Sequence, residues 1–105
     1  MTIGMLQSAV FGDLFGSAAM REAFGEPALF RNCAVVEAAL ARAQARLGIV
    51  PEDAAAAISR VADDIVAGRN PLDFARLKRE TATVGFPILP LVRQLAEREI
   101  GRAHV

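Results

Sequence analysis

The side chains best placed for chemistry lie in the segment 81–86, directly before a helix that is predicted to open with Pro87. Thr81 and Thr83 supply hydroxyl groups, Gly85 supplies a backbone N–H at a flexible position, and a helix amino terminus favours negative charge. We predict a loop there, in a setting that suits a carboxylate or a phosphate. Because threonine is a common helix cap, the residues by themselves favour a helix-capping loop over one that contacts an anion.

This candidate anion site is incomplete within the chain. Pro87 and Pro90 have no backbone N–H, which removes two of the donors that a helix amino terminus usually presents. No cation lies within the predicted loop. An anion bound there would therefore need further groups from elsewhere.

Other residues with catalytic potential are poorly placed. His104 is the single histidine, but it lies one residue from the end of the chain, where side chains are usually exposed and poorly fixed. Glu37, Asp63 and Asp64 are expected on solvated helix surfaces. Cys33 has no second thiol or nearby histidine with which to bind a metal, so we interpret it as a small buried hydrophobe. We assign no catalytic residue and no metal site from the sequence.

Charge and composition restrict the class of protein. The 12 basic and 12 acidic side chains cancel and are interspersed, so neither nucleic acid nor an anionic membrane surface is an expected partner. No charge-free apolar segment approaches the ~20 residues needed to cross a bilayer. A signal peptide needs an early positive charge before an apolar run, yet the first basic residue is Arg21. We therefore expect a cytoplasmic protein.

Helix start and stop signals recur along the sequence and predict an all-α fold. Ser17 can cap the first helix, and Gly25 is expected to end it in the left-handed conformation. Pro27 suits the first position of a long second helix that ends before Gly48. The short link 48–50 predicts a helical hairpin. We predict five helices, at about 17–24, 27–47, 51–67, 71–80 and 87–100.

The remaining boundaries follow from weaker signals. Asn70 is expected to cap the fourth helix, which starts at Pro71 and stops around Glu80. The segment 1–16 contains scattered glycines and weak patterning, so we predict an irregular arm. The whole chain, 1–105, is otherwise predicted to form a single helical domain.

Apolar residues recur along the second predicted helix at alternating steps of four and three. They are Leu29, Cys33, Val36, Leu40, Ala43 and Leu47, and we call them the apolar seam. The seam is predicted to face the core and to pack against another helix.

Two segments carry a resemblance to a known family. Residues 35–51 read Val-Val-Glu-Ala-Ala-Leu-Ala-Arg-Ala-Gln-Ala-Arg-Leu-Gly-Ile-Val-Pro, and residues 85–92 read Gly-Phe-Pro-Ile-Leu-Pro-Leu-Val. Both resemble the amino-terminal region of the fumarase/aspartase superfamily. The second is most similar to the 3-carboxy-cis,cis-muconate cycloisomerases, because adenylosuccinate lyases tend to have a His-Asp pair where Phe86 and Pro87 stand here.

The resemblance implies that the chain is the amino-terminal helical domain of a longer enzyme. The family's second signature, His-Trp-Gly-Ala-Thr-Ser-Gln-Asp, would follow Val105 directly. A serine-rich loop that supplies the catalytic base, and the long helices that assemble the homotetramer, would lie further downstream. We therefore expect this fragment not to turn over substrate by itself.

The resemblance also implies a reaction. The parent enzyme would add a carboxylate of a tricarboxylic muconate reversibly across a double bond to form a muconolactone in protocatechuate breakdown, with no metal or organic cofactor. Thr81, Thr83 and Gly85 are the positions expected to contact the carboxylates of this small-molecule substrate. Two alternatives remain: a superfamily member of the adenylosuccinate or argininosuccinate lyase type, and a non-catalytic helical module that binds a partner through the apolar seam.

Overall fold

The computed structural model describes residues 4–103, with side chains as far as residue 99, and every regular element in that range is a helix. Two short 3-10 helices, Met5–Gln7 and Gly12–Leu14, come first. The five α-helices are α1 Ala18–Ala23, α2 Glu26–Arg46, α3 Glu52–Val66, α4 Phe74–Val84 and α5 Ile88–Ala103. The all-α prediction and its five helices are confirmed. His104 lies outside the described residues.

The core is formed mainly between α2, α3 and α5. A short link joins α2 to α3, and the side chain of Arg42 on α2 donates to Ser59 Oγ on α3 at 3.0 Å. The two helices form the predicted hairpin. The buried core residues are Phe30, Ala34, Ala38, Val61, Ala62, Ile65, Leu72, Leu77, Leu91 and Leu95. Cys33 packs partly buried against this core.

The predicted buried face of α2 is wrong. Leu29, Val36 and Leu47, all in the apolar seam, are 53%, 63% and 76% exposed. The buried residues of α2 are Ala28, Phe30, Ala34, Ala38 and Ala41, which lie on a neighbouring face. α3 buries alanines at 55, 57 and 62. Small side chains let two helix axes approach closely, so these alanine-rich faces pack together and the larger seam residues remain outside.

Gly25 begins a helix instead of ending one in the left-handed conformation. Ser17 caps α1 as predicted, since its side chain accepts from the N–H of Met20 at 3.2 Å. Gly25 has φ −73° and is the amino-terminal cap residue of α2. A Cβ atom there would lie 3.1 Å from the carbonyl oxygen of Arg21. Glycine is therefore favoured at this position by the close approach of the preceding helix.

The fourth helix is displaced along the chain relative to its prediction. It begins after Asp73, whose carboxylate accepts from the N–H of Arg76 at 3.0 Å, and it continues to Val84. Asn70 does not cap it. The Asn70 side-chain oxygen instead accepts from Nε of Arg98 on α5 at 3.2 Å. The predicted start at Pro71 is wrong, because side chains of α5 hydrogen-bond to the 70–73 segment, which lies before the helix.

Gln94 attaches this segment to α5. Its side chain is fully buried, its Oε1 accepts from the N–H of Asp73 at 2.9 Å, and its Nε2 donates to the Asp73 carbonyl at 3.0 Å. Arg98 donates to the Pro71 carbonyl at 2.8 Å. The two α5 side chains thus satisfy backbone groups immediately before α4.

We expect Gln94→Leu to lower the free energy of unfolding by about 1–3 kcal/mol, because both backbone groups of Asp73 would lose a partner. Urea unfolding followed by circular dichroism measures the change. Arg93→Leu is the control, since Arg93 is exposed beside Gln94 on the same helix and its replacement should change stability by no more than about 0.5 kcal/mol. Equal effects of the two substitutions would contradict this role for Gln94.

Candidate functional site at the α4–α5 corner

Thr81 and Thr83 lie in the last turns of α4, so the predicted loop at 81–86 is wrong. α4 ends at Gly85, which has φ +94°. This left-handed conformation favours glycine. The N–H of Gly85 donates to the carbonyl of Thr81 at 2.8 Å and therefore closes the helix. A role for these three residues in substrate contact stays a prediction.

The two threonine hydroxyls differ in their surroundings. Thr83 is exposed, and its Oγ1 donates to the carbonyl of Arg79 at 3.3 Å, one turn earlier in the helix. Thr81 is half-buried, and within the described part of the chain its hydroxyl has no hydrogen-bond partner. Of the two, Thr81 has the hydroxyl that is free to bind a ligand.

Thr81 lines a cavity of about 520 Å³ between the amino-terminal end of α2 and α4. Its volume falls in the range of about 300–1,000 Å³ that is usual for small-molecule sites. Phe30 and Phe74 contact each other at one side, with ring centroids 5.7 Å apart and an interplanar angle of 75°. Besides Thr81, the lining residues are Glu26, Leu29, Phe30, Phe74, Ala75, Leu77, Lys78 and Pro87. The cavity is largely apolar, with one cation, one anion and one hydroxyl in its lining.

Lys78 is a cation in the lining of this cavity that the predicted helix boundaries did not place beside Thr81. Because α4 continues to Val84, Lys78 and Thr81 lie three residues apart on one helix face and are surface neighbours. The ammonium group of Lys78 has no ion pair with any of the residues whose side chains are described. The predicted end at Glu80 separated these residues into a helix and a loop. The spacing of Phe74, Leu77, Lys78 and Thr81 would have revealed their common face.

An ion-pair network holds α4 against α5 beside this corner. Both terminal nitrogens of Arg76 donate to the Glu97 carboxylate at 2.6 Å, and Nε donates to Oε1 of Glu80 at 2.5 Å. These hydrogen bonds, that to Glu97 first and that to Glu80 second, raise the pKa of Arg76 above its ordinary value. The hydrogen bond from Arg76 lowers the pKa of Glu97 from its ordinary value of 4.5. The network orients the face of α4 that carries Lys78 and Thr81.

The lowered pKa of Glu97 predicts a pH-dependent contribution to stability. Because the pKa of Glu97 is lower in the folded chain than in the unfolded chain, ionised Glu97 stabilises the fold at pH values above the unfolded-state pKa, near 4.5. This stabilisation is lost as the pH falls through the folded-state pKa. Glu97→Gln should therefore destabilise the chain at neutral pH and change little at about pH 3. Urea unfolding at the two pH values measures this. Glu22→Gln, at an exposed carboxylate on α1, is the control, and a Glu97→Gln effect independent of pH would contradict the assignment.

A metal site and a membrane-spanning helix are both absent from the part of the chain that the structure describes. No group of histidine, cysteine, aspartate and glutamate side chains there could hold a metal ion. No helix in that part is both long enough and apolar enough to cross a bilayer.

The resemblance to the fumarase/aspartase superfamily is confirmed, because the chain is similar to cycloisomerases and lyases of that superfamily. A 3-carboxy-cis,cis-muconate cycloisomerase of Acinetobacter baylyi is 34% identical over 88 residues, which are 84% of this chain and 19% of that protein. An uncharacterized protein of Schizosaccharomyces pombe is 38% identical over 96 residues, or 91% of this chain and 20% of that protein. No protein-family model matches the chain.

The crystal structure of a fumarate lyase from Mesorhizobium sp. BNC1 has the same fold over most of the chain. It matches with a TM-score of 0.71 and 46% sequence identity, over 81% of this chain and 19% of that one. The chain therefore spans about a fifth of the length of the relatives that it matches.

Proposed function

We propose that the chain is the amino-terminal helical domain of a 3-carboxy-cis,cis-muconate cycloisomerase. The observation that carries the proposal is the 34% identity to the Acinetobacter baylyi cycloisomerase over 84% of the chain. The Gly-Phe-Pro-Ile-Leu-Pro-Leu-Val run at 85–92 supports this branch of the superfamily. The full-length enzyme would act as a cytoplasmic homotetramer on a small tricarboxylate.

In the proposed reaction a carboxylate oxygen of the substrate forms a C–O bond to one carbon of a double bond, and a proton is added to the other carbon. The reverse reaction breaks the same C–O bond and removes the proton. The protein must bind the spectator carboxylates and stabilise the negative charge that develops beside one of them. It must also supply a positioned acid or base.

The α4–α5 corner would provide the first of these functions. We propose that the Lys78 ammonium and the Thr81 hydroxyl bind one carboxylate of the substrate, while the apolar lining of the cavity contacts its carbon chain. A charge-assisted hydrogen bond from lysine is stronger than one between neutral groups. Thr83 and Gly85 remain proposed contacts, although the N–H of Gly85 already donates to the Thr81 carbonyl. The group that transfers the proton would come from outside this chain, so the fragment would not turn over substrate alone.

The second candidate function is that of a lyase in the same superfamily which adds a separate molecule across a double bond. The 46% identity to the Mesorhizobium fumarate lyase favours it. Adenylosuccinate and argininosuccinate lyases belong to this alternative. A non-catalytic helical module has support only from the exposed apolar seam on α2.

Assays of the full-length parent protein distinguish these functions. We expect lactone formation from carboxymuconate, which is monitored as a loss of substrate absorbance. We expect no cleavage of adenylosuccinate. The 105-residue chain at the same concentration should form no lactone. Activity on adenylosuccinate alone would reject the assignment as a cycloisomerase. Turnover of carboxymuconate by the 105-residue chain would reject the claim that catalysis needs residues outside this chain.

A further inference from the structure

Glu26 is the anion in the lining of the cavity that also contains Lys78 and Thr81. It is the first residue of α2, where the helix dipole favours a carboxylate. Among the residues whose side chains are described, neither Glu26 nor Lys78 forms an ion pair. Two opposite charges therefore line one cavity without neutralising each other by direct contact, and each is able to act on a bound molecule.

Within the described part of the chain, the side chains that line this cavity offer hydrogen-bond donors for one carboxylate. These donors are the Lys78 ammonium and the Thr81 hydroxyl, and Pro87 has no backbone N–H to add. The other lining side chains, apart from Glu26, are apolar. A second carboxylate inside the cavity would have no donor of its own and would be repelled by Glu26. Both the unpaired charge and the repulsion cost free energy.

The substrate named in the proposed function has two unequal ends. It is a six-carbon diene with a carboxylate at each end and a third carboxylate near one of them. One end therefore carries a single carboxylate, and the other end carries two that are separated by a double bond. The end with a single carboxylate matches the donors and the charges of the cavity, whereas the other end does not.

We propose that Glu26 determines which end of the substrate enters the cavity. The single carboxylate binds Lys78 and Thr81, and the flat diene contacts the aromatic side chains of Phe30 and Phe74. Glu26 excludes the end that carries two carboxylates, which lies at the mouth of the cavity and is bound by groups from outside this chain. This inference rests on the proposed function, because it concerns the orientation of the same substrate in the same site.

Binding of two matched carboxylates to the 105-residue chain tests this role. Pentanoate has one carboxylate, whereas propylsuccinate has the same carbon chain with a second carboxylate on a short branch. Nuclear magnetic resonance titration, followed at the amide signals of the lining residues, gives both dissociation constants. We expect pentanoate to bind more tightly than propylsuccinate. Lys78→Met should weaken the binding of pentanoate by about ten-fold or more, because it removes the charged donor.

Glu26→Gln should strengthen the binding of propylsuccinate by about three- to ten-fold, because it removes the repulsion of the second carboxylate. The same substitution should change the binding of pentanoate by no more than about two-fold. Glu52→Gln is the matched control, since Glu52 is the first residue of α3, is exposed and does not line the cavity. It changes the net charge of the chain equally and should alter neither dissociation constant. Circular dichroism establishes that the variants are folded.

Three results would overturn the role of Glu26. They are no binding of pentanoate, propylsuccinate that binds the unsubstituted chain as tightly as pentanoate does, and equal effects of Glu26→Gln and Glu52→Gln. Lactone formation by the full-length protein is measured independently of these titrations, so the role of Glu26 can fail while the cycloisomerase assignment stands. Conversely, the expected binding results without lactone formation would reject the cycloisomerase assignment alone.

Discussion

Replacing Leu91 with alanine is expected to lower the free energy of unfolding by about 2–5 kcal/mol, the range for removal of a fully buried leucine side chain. Leu91 has no exposed surface and belongs to the core cluster that joins α5 to the α2–α3 hairpin. A domain of this size has about 5–15 kcal/mol of total stability, so this substitution removes a large share of it. Thermal and urea unfolding measure the change.

Leu89→Ala is the matched control for Leu91→Ala. Leu89 lies two residues earlier on α5, has the same chemistry and is 40% exposed. Its replacement should cost about 1 kcal/mol or less. If the two variants lost the same stability, the assignment of Leu91 to the central core would be wrong.

Lys78→Met in the full-length parent enzyme is expected to lower kcat/KM for carboxymuconate by about 10- to 100-fold. The physical reason is the loss of the charged hydrogen-bond donor that we propose binds a substrate carboxylate, an interaction of about 1.5–3 kcal/mol. Thr81→Val should cause a smaller loss, because it removes a neutral donor from the same cavity. Steady-state kinetics with the purified full-length protein would measure both effects.

Arg79→Met is the control for Lys78→Met. Arg79 is the next residue of α4, is also a cation and is exposed, but it does not line the cavity. It should leave kcat/KM within about two-fold of the parent value, which corresponds to less than 0.5 kcal/mol. Equal losses from the two substitutions would indicate a general effect of positive charge and would reject the specific contact by Lys78.

The positions of several helices were predictable because their signals are local. Ser17 caps α1 with its own side chain, and Pro27 occupies the first turn of α2, where its missing N–H has no intrahelical partner to lose. Gly48 and Gly68 follow α2 and α3 with φ values of +75° and +77°, a conformation that few other residues adopt readily. Each signal acts within a few residues of the helix end that it defines.

The α4–α5 corner could be predicted only in part. Two threonines near a glycine and a proline favour a loop, because threonine is a weak helix former. In the structure the helix continues through both threonines, since Gly85 closes it, Arg76 pairs with Glu80 one turn later and Arg76 also links the helix to Glu97 on α5. Glu97 lies 21 residues from Arg76 in sequence, and nothing local specifies that contact. The neighbouring positions of Lys78 and Thr81 therefore became clear only from the tertiary structure.

The sequence by itself determined the helical class, the hairpin of α2 and α3 and the likeness to the fumarase/aspartase superfamily, because helix ends and family motifs are encoded by adjacent residues. Only the tertiary structure decided which face of α2 is buried. Periodicity identifies more than one apolar face on that helix, but α3 presents alanines that allow close packing against the alanines of α2. The choice between faces depends on the shape of the partner helix, which is why the apolar seam is exposed.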